Sequence, residues 1–100
     1  MVEFKIKLFA TLQLKVGIRE LSWAGDSEPT IDDVIDFIQE TVTRSGTDHD
    51  VRSMLLFDDN GIRPGTMLLI DGKNVIHAEA IETKVPSGAT VSIFPPAGGG

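Results

Sequence analysis

Apolar and charged residues alternate along the first nine positions. Val2, Phe4, Ile6 and Leu8 fall on one face, and Glu3, Lys5 and Lys7 on the other. A period of two over that length predicts a half-buried strand. Phe9 breaks the polar series as the last outward residue. A short irregular piece follows, and Gly17 introduces a second strand over residues 18–23, with Leu21 and Trp23 on a common face. Residues 24–29 read as a polar loop carrying Gly25, Asp26, Ser27 and Pro29.

The period then lengthens. Ile31, Val34, Ile35, Ile38 and Val42 recur at helical spacing, which predicts one long helix with a core stripe. Thr30 suits its N-cap, Asp32 and Asp33 suit its first turn, and Gly46 is a plausible stop. Residues 48–52 are polar and fit a short turn of helix. An apolar run at 54–57 closes on Asp58, Asp59, Asn60 and Gly61, a strong turn signal. Residues 67–70 are apolar on both faces and run into a hairpin-type turn at Asp71, Gly72, Lys73 and Asn74. The stretch 75–85 is less patterned, a brief strand and a loop. The turn from Pro86 to Ala89 leads into a last strand over 90–94, with Val91 and Ile93 inward and Ser92 and Phe94 outward.

Two strands, a helix and several short strands need a sheet for that helix to cover. A mixed sheet of four to five strands supplies it. The helix is also the natural route from the first hairpin to a parallel neighbour. The expected fold is therefore α+β, the β-grasp or ubiquitin-like arrangement, with the last strand central beside the first. Residues 1–94 form the domain and residues 95–100 a flexible tail, Pro-Pro-Ala-Gly-Gly-Gly.

Composition narrows the chemistry by exclusion. At 100 residues the chain is one small domain. It has no cysteine, which removes disulfides, thiolate metal sites and a nucleophilic thiol together. That fits a reducing cytosol, and a cytoplasmic location is expected. Lys5 and Lys7 interrupt the first apolar run, so no signal peptide is read, and no stretch reaches membrane-span length. The formal charge of −6 argues against nucleic acid as a partner and suits a basic protein partner.

The motifs that would build an active site fail. If Gly61 is the invariant glycine of a calcium loop, the first and twelfth ligands fall on Leu56 and Met67. Asp48, His49 and Asp50 sit on adjacent positions and do not converge on a metal. His77 stands alone, the serines lack a base, and no glycine loop opens a helix. No catalytic residue and no bound metal or cofactor is expected.

The end of the chain is different. Glycine makes up about 7% of average sequence, so a diglycine terminus arises by chance roughly once in 200 chains. Here Gly98, Gly99 and Gly100 follow Pro95, Pro96 and Ala97. Glycines lack a Cβ and can thread a narrow channel, while the prolines act as a stiff spacer. The Gly100 carboxylate, ionised at neutral pH, is well presented to an enzyme that activates carboxylates. On the sheet face away from the helix, the alternation places Phe9 and Phe94, with either Met67 and Leu69 or Leu68 and Ile70 alongside. An apolar patch there is a candidate partner surface.

Leu8, Phe9 and Ala10 closing the first strand, then Val16 and Gly17, resemble the opening of the small subunit of molybdopterin synthase (MoaD). The ending from Ile93 to Gly100 is similar to that family's Phe-Pro-Pro run to a terminal diglycine, and residues 61–72 resemble the middle of the ubiquitin-related modifiers. Small archaeal modifier proteins combine these traits, and the chain is similar to them. One departure is Gly98, which makes the end triglycine; Gly99 and Gly100 are then the functional pair. The resemblance implies a ubiquitin-like sulfur carrier and protein modifier. Gly100 would be adenylated by a ubiquitin-activating-type enzyme that uses ATP. It would then be thiocarboxylated for sulfur donation with the large subunit of molybdopterin synthase, or joined to target-protein lysines. The alternative is a non-catalytic β-grasp interaction domain with an idle tail.

Overall fold

The computed structural model describes residues 1–46, 48–57, 61–75 and 80–96. Strand β1 (Val2–Leu8) pairs antiparallel with β2 (Glu20–Gly25) and parallel with β5 (Thr90–Phe94). Strand β3 (Met67–Ile70) runs antiparallel to β5 on its other side and carries the two-residue β4 (Lys73–Asn74). The five-stranded order is β2-β1-β5-β3-β4, a mixed sheet with the last strand central. This is the expected β-grasp.

Helix α2 (Ile31–Arg44) covers one face. Its start is a reciprocal cap: the Asp33 N–H donates to Thr30 Oγ1 at 3.1 Å, and the Thr30 N–H donates to Asp33 Oδ2 at 3.0 Å. Ile31, Val34, Ile35, Ile38 and Val42 are all fully buried against Phe4, Ile6, Leu8, Val91 and Ile93 of the sheet's inner face. Removing one such side chain from water stabilises the fold by about 1.5–3 kcal/mol, so this interface dominates stability.

Three expectations need correction. Residues 10–16, expected to be irregular, form helix α1 (Ala10–Val16), which buries Leu12 and Val16 one turn apart. Gly17 ends that helix instead of opening a strand: at φ +72° it occupies the left-handed region, and its N–H donates to Gln13 O at 2.9 Å. Strand β2 is displaced towards the C-terminus of the expected span, because Ala24 and Gly25 pair with Glu3 and Val2. The apolar run at 54–57 is shared between α3 (Val51–Leu55) and a bridge from Leu56 to Ile62. Asp50 caps α3, accepting from the Ser53 N–H at 3.1 Å.

The β3–β4 turn fits its sequence. Asp71 and Gly72 both have positive φ, 51° and 83°, as a type I′ turn requires. Between α2 and α3, the Gln39 side chain supplies the link. Its Oε1 accepts from the Val51 N–H at 2.7 Å, and its Nε2 donates to His49 O at 3.0 Å. His77, Asp58, Asp59 and Asn60 lie outside the described residues.

Docking of α1 is testable by truncation. Leu12→Ala, at a fully buried position, should lower unfolding stability in urea by about 2–5 kcal/mol. Leu14→Ala, at a position 80% exposed, should change it by less than about 0.5 kcal/mol.

Candidate functional site

The site is built on the end of the central strand. Because β5 alternates, Val91 and Ile93 are buried under α2 while Ser92 and Phe94 face the other way. Parallel pairing sets Lys7 beside Ser92 and Leu8 beside Ile93, so the ends of β1 and β5 lie together. The Phe9 N–H continues that ladder, donating to Ile93 O at 3.1 Å. Phe9 and Phe94 consequently stack with centroids 4.3 Å apart and planes 8° from parallel.

The register of β3 settles which of its residues join them. Leu68 is buried on the helix side, whereas Met67 lies directly opposite Phe94 and is 41% exposed, and Leu69 lies opposite Ser92 and is half-buried. The alternation thus selects Met67 and Leu69 over Leu68 and Ile70. Phe9, Phe94, Met67 and Leu69 form one half-exposed apolar strip on the sheet face that no described helix covers.

The spacer prolines behave differently from a free stalk. Pro95 is buried and Pro96 half-buried, so the packed chain continues past the expected boundary at Phe94. Pro95 follows Ile93 on the inward side of the alternation, which accounts for its burial. Gly98, Gly99 and Gly100 lie outside the described residues.

On the helical side, Arg52 joins α3 to α2. Its guanidinium bonds Asp32 and, at 2.9 Å, Asp36. The hydrogen bond to Asp32 and the charges of both carboxylates hold its pKa above the ordinary arginine value, against a smaller opposing effect of burial. These groups are partly exposed, so each pair contributes only about 0–1 kcal/mol. His49 is half-buried beside Asp48 and Asp50. Among the described residues there is no group of three potential metal ligands, and no helix is long and apolar enough to cross a membrane.

A notch beside the strip escaped the sequence reading. Lys7, Leu8, Phe9, Gln13, Arg19 and Glu20 line a concavity of about 380 Å³ where β1, α1 and β2 meet. Gln13 belongs to the helix that was expected to be irregular. The spacing of Leu12, Val16 and Gly17 was the available signal for it.

A mixed sheet with its last strand central and one main helix across one face defines a ubiquitin-like β-grasp fold. The ThiS family matches residues 6–100, and the chain belongs to that family. It is 28% identical over 99 residues to small archaeal modifier protein 3 of Haloferax volcanii, covering 99% of this chain and 100% of that one. Among solved structures, it is similar to small archaeal modifier protein 1 of Methanosarcina acetivorans at a TM-score of 0.70 and 27% identity, covering 100% of this chain and 98% of the other. The crystal structure of H. volcanii small archaeal modifier protein 1 aligns at a TM-score of 0.73 and 22% identity, over 97% and 100% of the two chains; that likeness concerns the fold.

Stacked rings at this separation are coupled by about 0.5–1.5 kcal/mol beyond the area they bury. A double-mutant cycle on Phe9→Ala and Phe94→Ala should return that coupling in urea unfolding; strictly additive losses would mean the rings do not hold each other.

Proposed function

We propose that the chain is a ubiquitin-like sulfur carrier and protein modifier that acts through the carboxylate of Gly100. The observation that carries this is the continuity of the central strand β5 with a Pro-Pro-Ala-Gly-Gly-Gly end in a chain of the ThiS family. Similarity to proteins named small archaeal modifiers supports it.

A carboxylate is a poor electrophile because its oxygen is a poor leaving group. An adenylating enzyme of the ubiquitin-activating type would use ATP to convert Gly100 to a mixed anhydride with AMP. Attack by a sulfide-level sulfur donor then breaks the acyl–phosphate bond, expels AMP and gives a C-terminal thiocarboxylate. Attack by a lysine amine, with loss of a proton and of AMP, gives an isopeptide bond. In the carrier role, the thiocarboxylate enters the catalytic large subunit of molybdopterin synthase. In the modifier role, Gly100 is joined to target-protein lysines. The activating enzyme supplies the nucleotide site, so this chain needs no cofactor of its own.

Phe9, Phe94, Met67 and Leu69 serve as the docking surface. Phe9 and Phe94 lie at the end of the sheet where Pro95 and Pro96 follow β5, so a partner seated there would meet the residues that continue from Pro96. Gly99 and Gly100 fit a channel too narrow for side chains, while Gly98 extends the reach.

Gly100→Val, or deletion of Gly99 and Gly100, should abolish ATP–pyrophosphate exchange by the activating enzyme while leaving the thermal unfolding midpoint unchanged. Retained exchange in both variants would sink the role of the tail. The deciding experiment is denaturing purification of an N-terminally tagged copy from its native host, followed by mass spectrometry. Replacement of one Gly100 oxygen by sulfur establishes the carrier role, and Gly100 on substrate lysines establishes the modifier role. An unmodified carboxylate under both molybdenum demand and stress would leave an interaction domain with an idle tail.

A further inference from the structure

The net charge of −6 is unevenly placed. Residues 26–59 hold ten of the 15 acidic side chains and two of the nine basic ones, whereas residues 1–25 hold four basic and two acidic. Arg44, Arg52 and Arg63 are engaged within the molecule. Arg44 Nη2 lies 3.4 Å from Glu40 Oε1, and Arg52 bonds Asp32 and Asp36. Arg63 lies 4.6 Å over the Phe57 ring and donates to Leu56 O at 3.1 Å.

On the sheet side the opposite holds. Lys5 and Lys7 on the open face, and Arg19 just ahead of β2, are exposed and form no ion pair among the described residues. Two of them converge: Lys7 and Arg19 line the 380 Å³ notch, with Leu8 and Phe9 as apolar lining and Glu20 as the one carboxylate. Phe9 is shared between this notch and the stack with Phe94, so the notch and the apolar strip are continuous. Even the shortest dimension of the molecule, 23 Å, is about three Debye lengths at physiological salt. A partner arriving at the strip therefore meets the local cations and is screened from the acidic helices.

We propose that the notch is the anion-receiving rim of the docking face. It takes a carboxylate-bearing side chain of the protein that activates the tail, with Lys7 and Arg19 as counter-charges and Phe9 as the apolar floor. The proposal rests on the function above and adds the sign of the partner surface: acidic around an apolar centre, although this chain is itself acidic. Arg19 can meet a carboxylate through two parallel N–H donors, while Lys7 acts as a point charge. Charges at such a rim act mainly on the association rate and its salt dependence.

The test combines stopped-flow association with carbodiimide cross-linking, using the full chain, the activating enzyme of the same source and ATP. The double variant Lys7→Glu, Arg19→Glu should slow association about tenfold or more and flatten its salt dependence. Asp26→Asn with Glu40→Gln on the helical side should leave the rate within twofold. Lys7→Gln with Arg19→Gln gives a milder loss, and covers the case in which charge reversal disturbs folding. Cross-linked peptides should join Lys7 to an enzyme Asp or Glu. An unchanged rate in both double variants at Lys7 and Arg19 overturns the proposal, as do cross-links made only between helix-side carboxylates of this chain and enzyme lysines. A wild-type chain that the enzyme neither binds nor adenylates overturns the functional reading beneath it. Normal adenylation with rim variants that associate normally overturns the rim alone.

Discussion

Parallel pairing of β5 with β1 is the constraint on which the rest depends. It places the last strand between β1 and β3, with Val91 and Ile93 sealed under α2. It also makes the two strands end together, so that Phe9 reaches Ile93 through its N–H and Phe94 through its ring. Were β5 antiparallel to β1, the chain would leave from the opposite end of the sheet, far from Phe9 and the notch. A parallel neighbour demands a long crossover, and α2 is the main element of that crossover. The core stripe of α2 and the end of the sheet at which Pro95 and Pro96 follow β5 are thus two consequences of one topology.

The two faces of the sheet divide the labour. Stability lies on the helix side, in the apolar stripe of α2 and the inward residues of β1 and β5. The polar links there mostly join main chain to side chain: the Thr30–Asp33 cap and the bonds from Gln39 to the start of α3. Such bonds position the helices, and the partly exposed ion pairs of Arg52 add little. The other face carries little of the core. A face with few structural duties can hold half-exposed rings and cations that form no ion pair among the described residues, because changing them costs the fold little.

Several elements were legible in the chain because their signals are local. Strict alternation marked β1 and β5, the 3.6-residue stripe with Thr30 and the first-turn aspartates marked α2, and Asp71 with Gly72 marked the β3–β4 turn. Helix α1 was hidden because seven residues with two inward positions barely outweigh noise in a periodicity count. The end of β2 was hidden because Ala24 and Gly25 are poor strand formers alone and are strands only through their pairing with β1. A Cβ on Gly25 would lie 2.5 Å from Trp23 Cη2, so the indole would have to shift to admit one. That is a fact about a neighbouring side chain, not about propensity.

The chemistry followed the same division. The glycine-rich ending is visible in the sequence alone, because recognising it needs no partner elsewhere in the chain. Phe9 and Phe94 were each placed on the right face by alternation. Their stacking, the choice of Met67 and Leu69 over Leu68 and Ile70, and the burial of Pro95 were not, since these depend on strand register. The notch required the register together with an unforeseen helix. Period and composition determined which residues face in or out; only the tertiary structure decided which of them meet, because a contact such as that of Phe9 with Phe94, far apart in the chain, is set by the packing of the whole sheet.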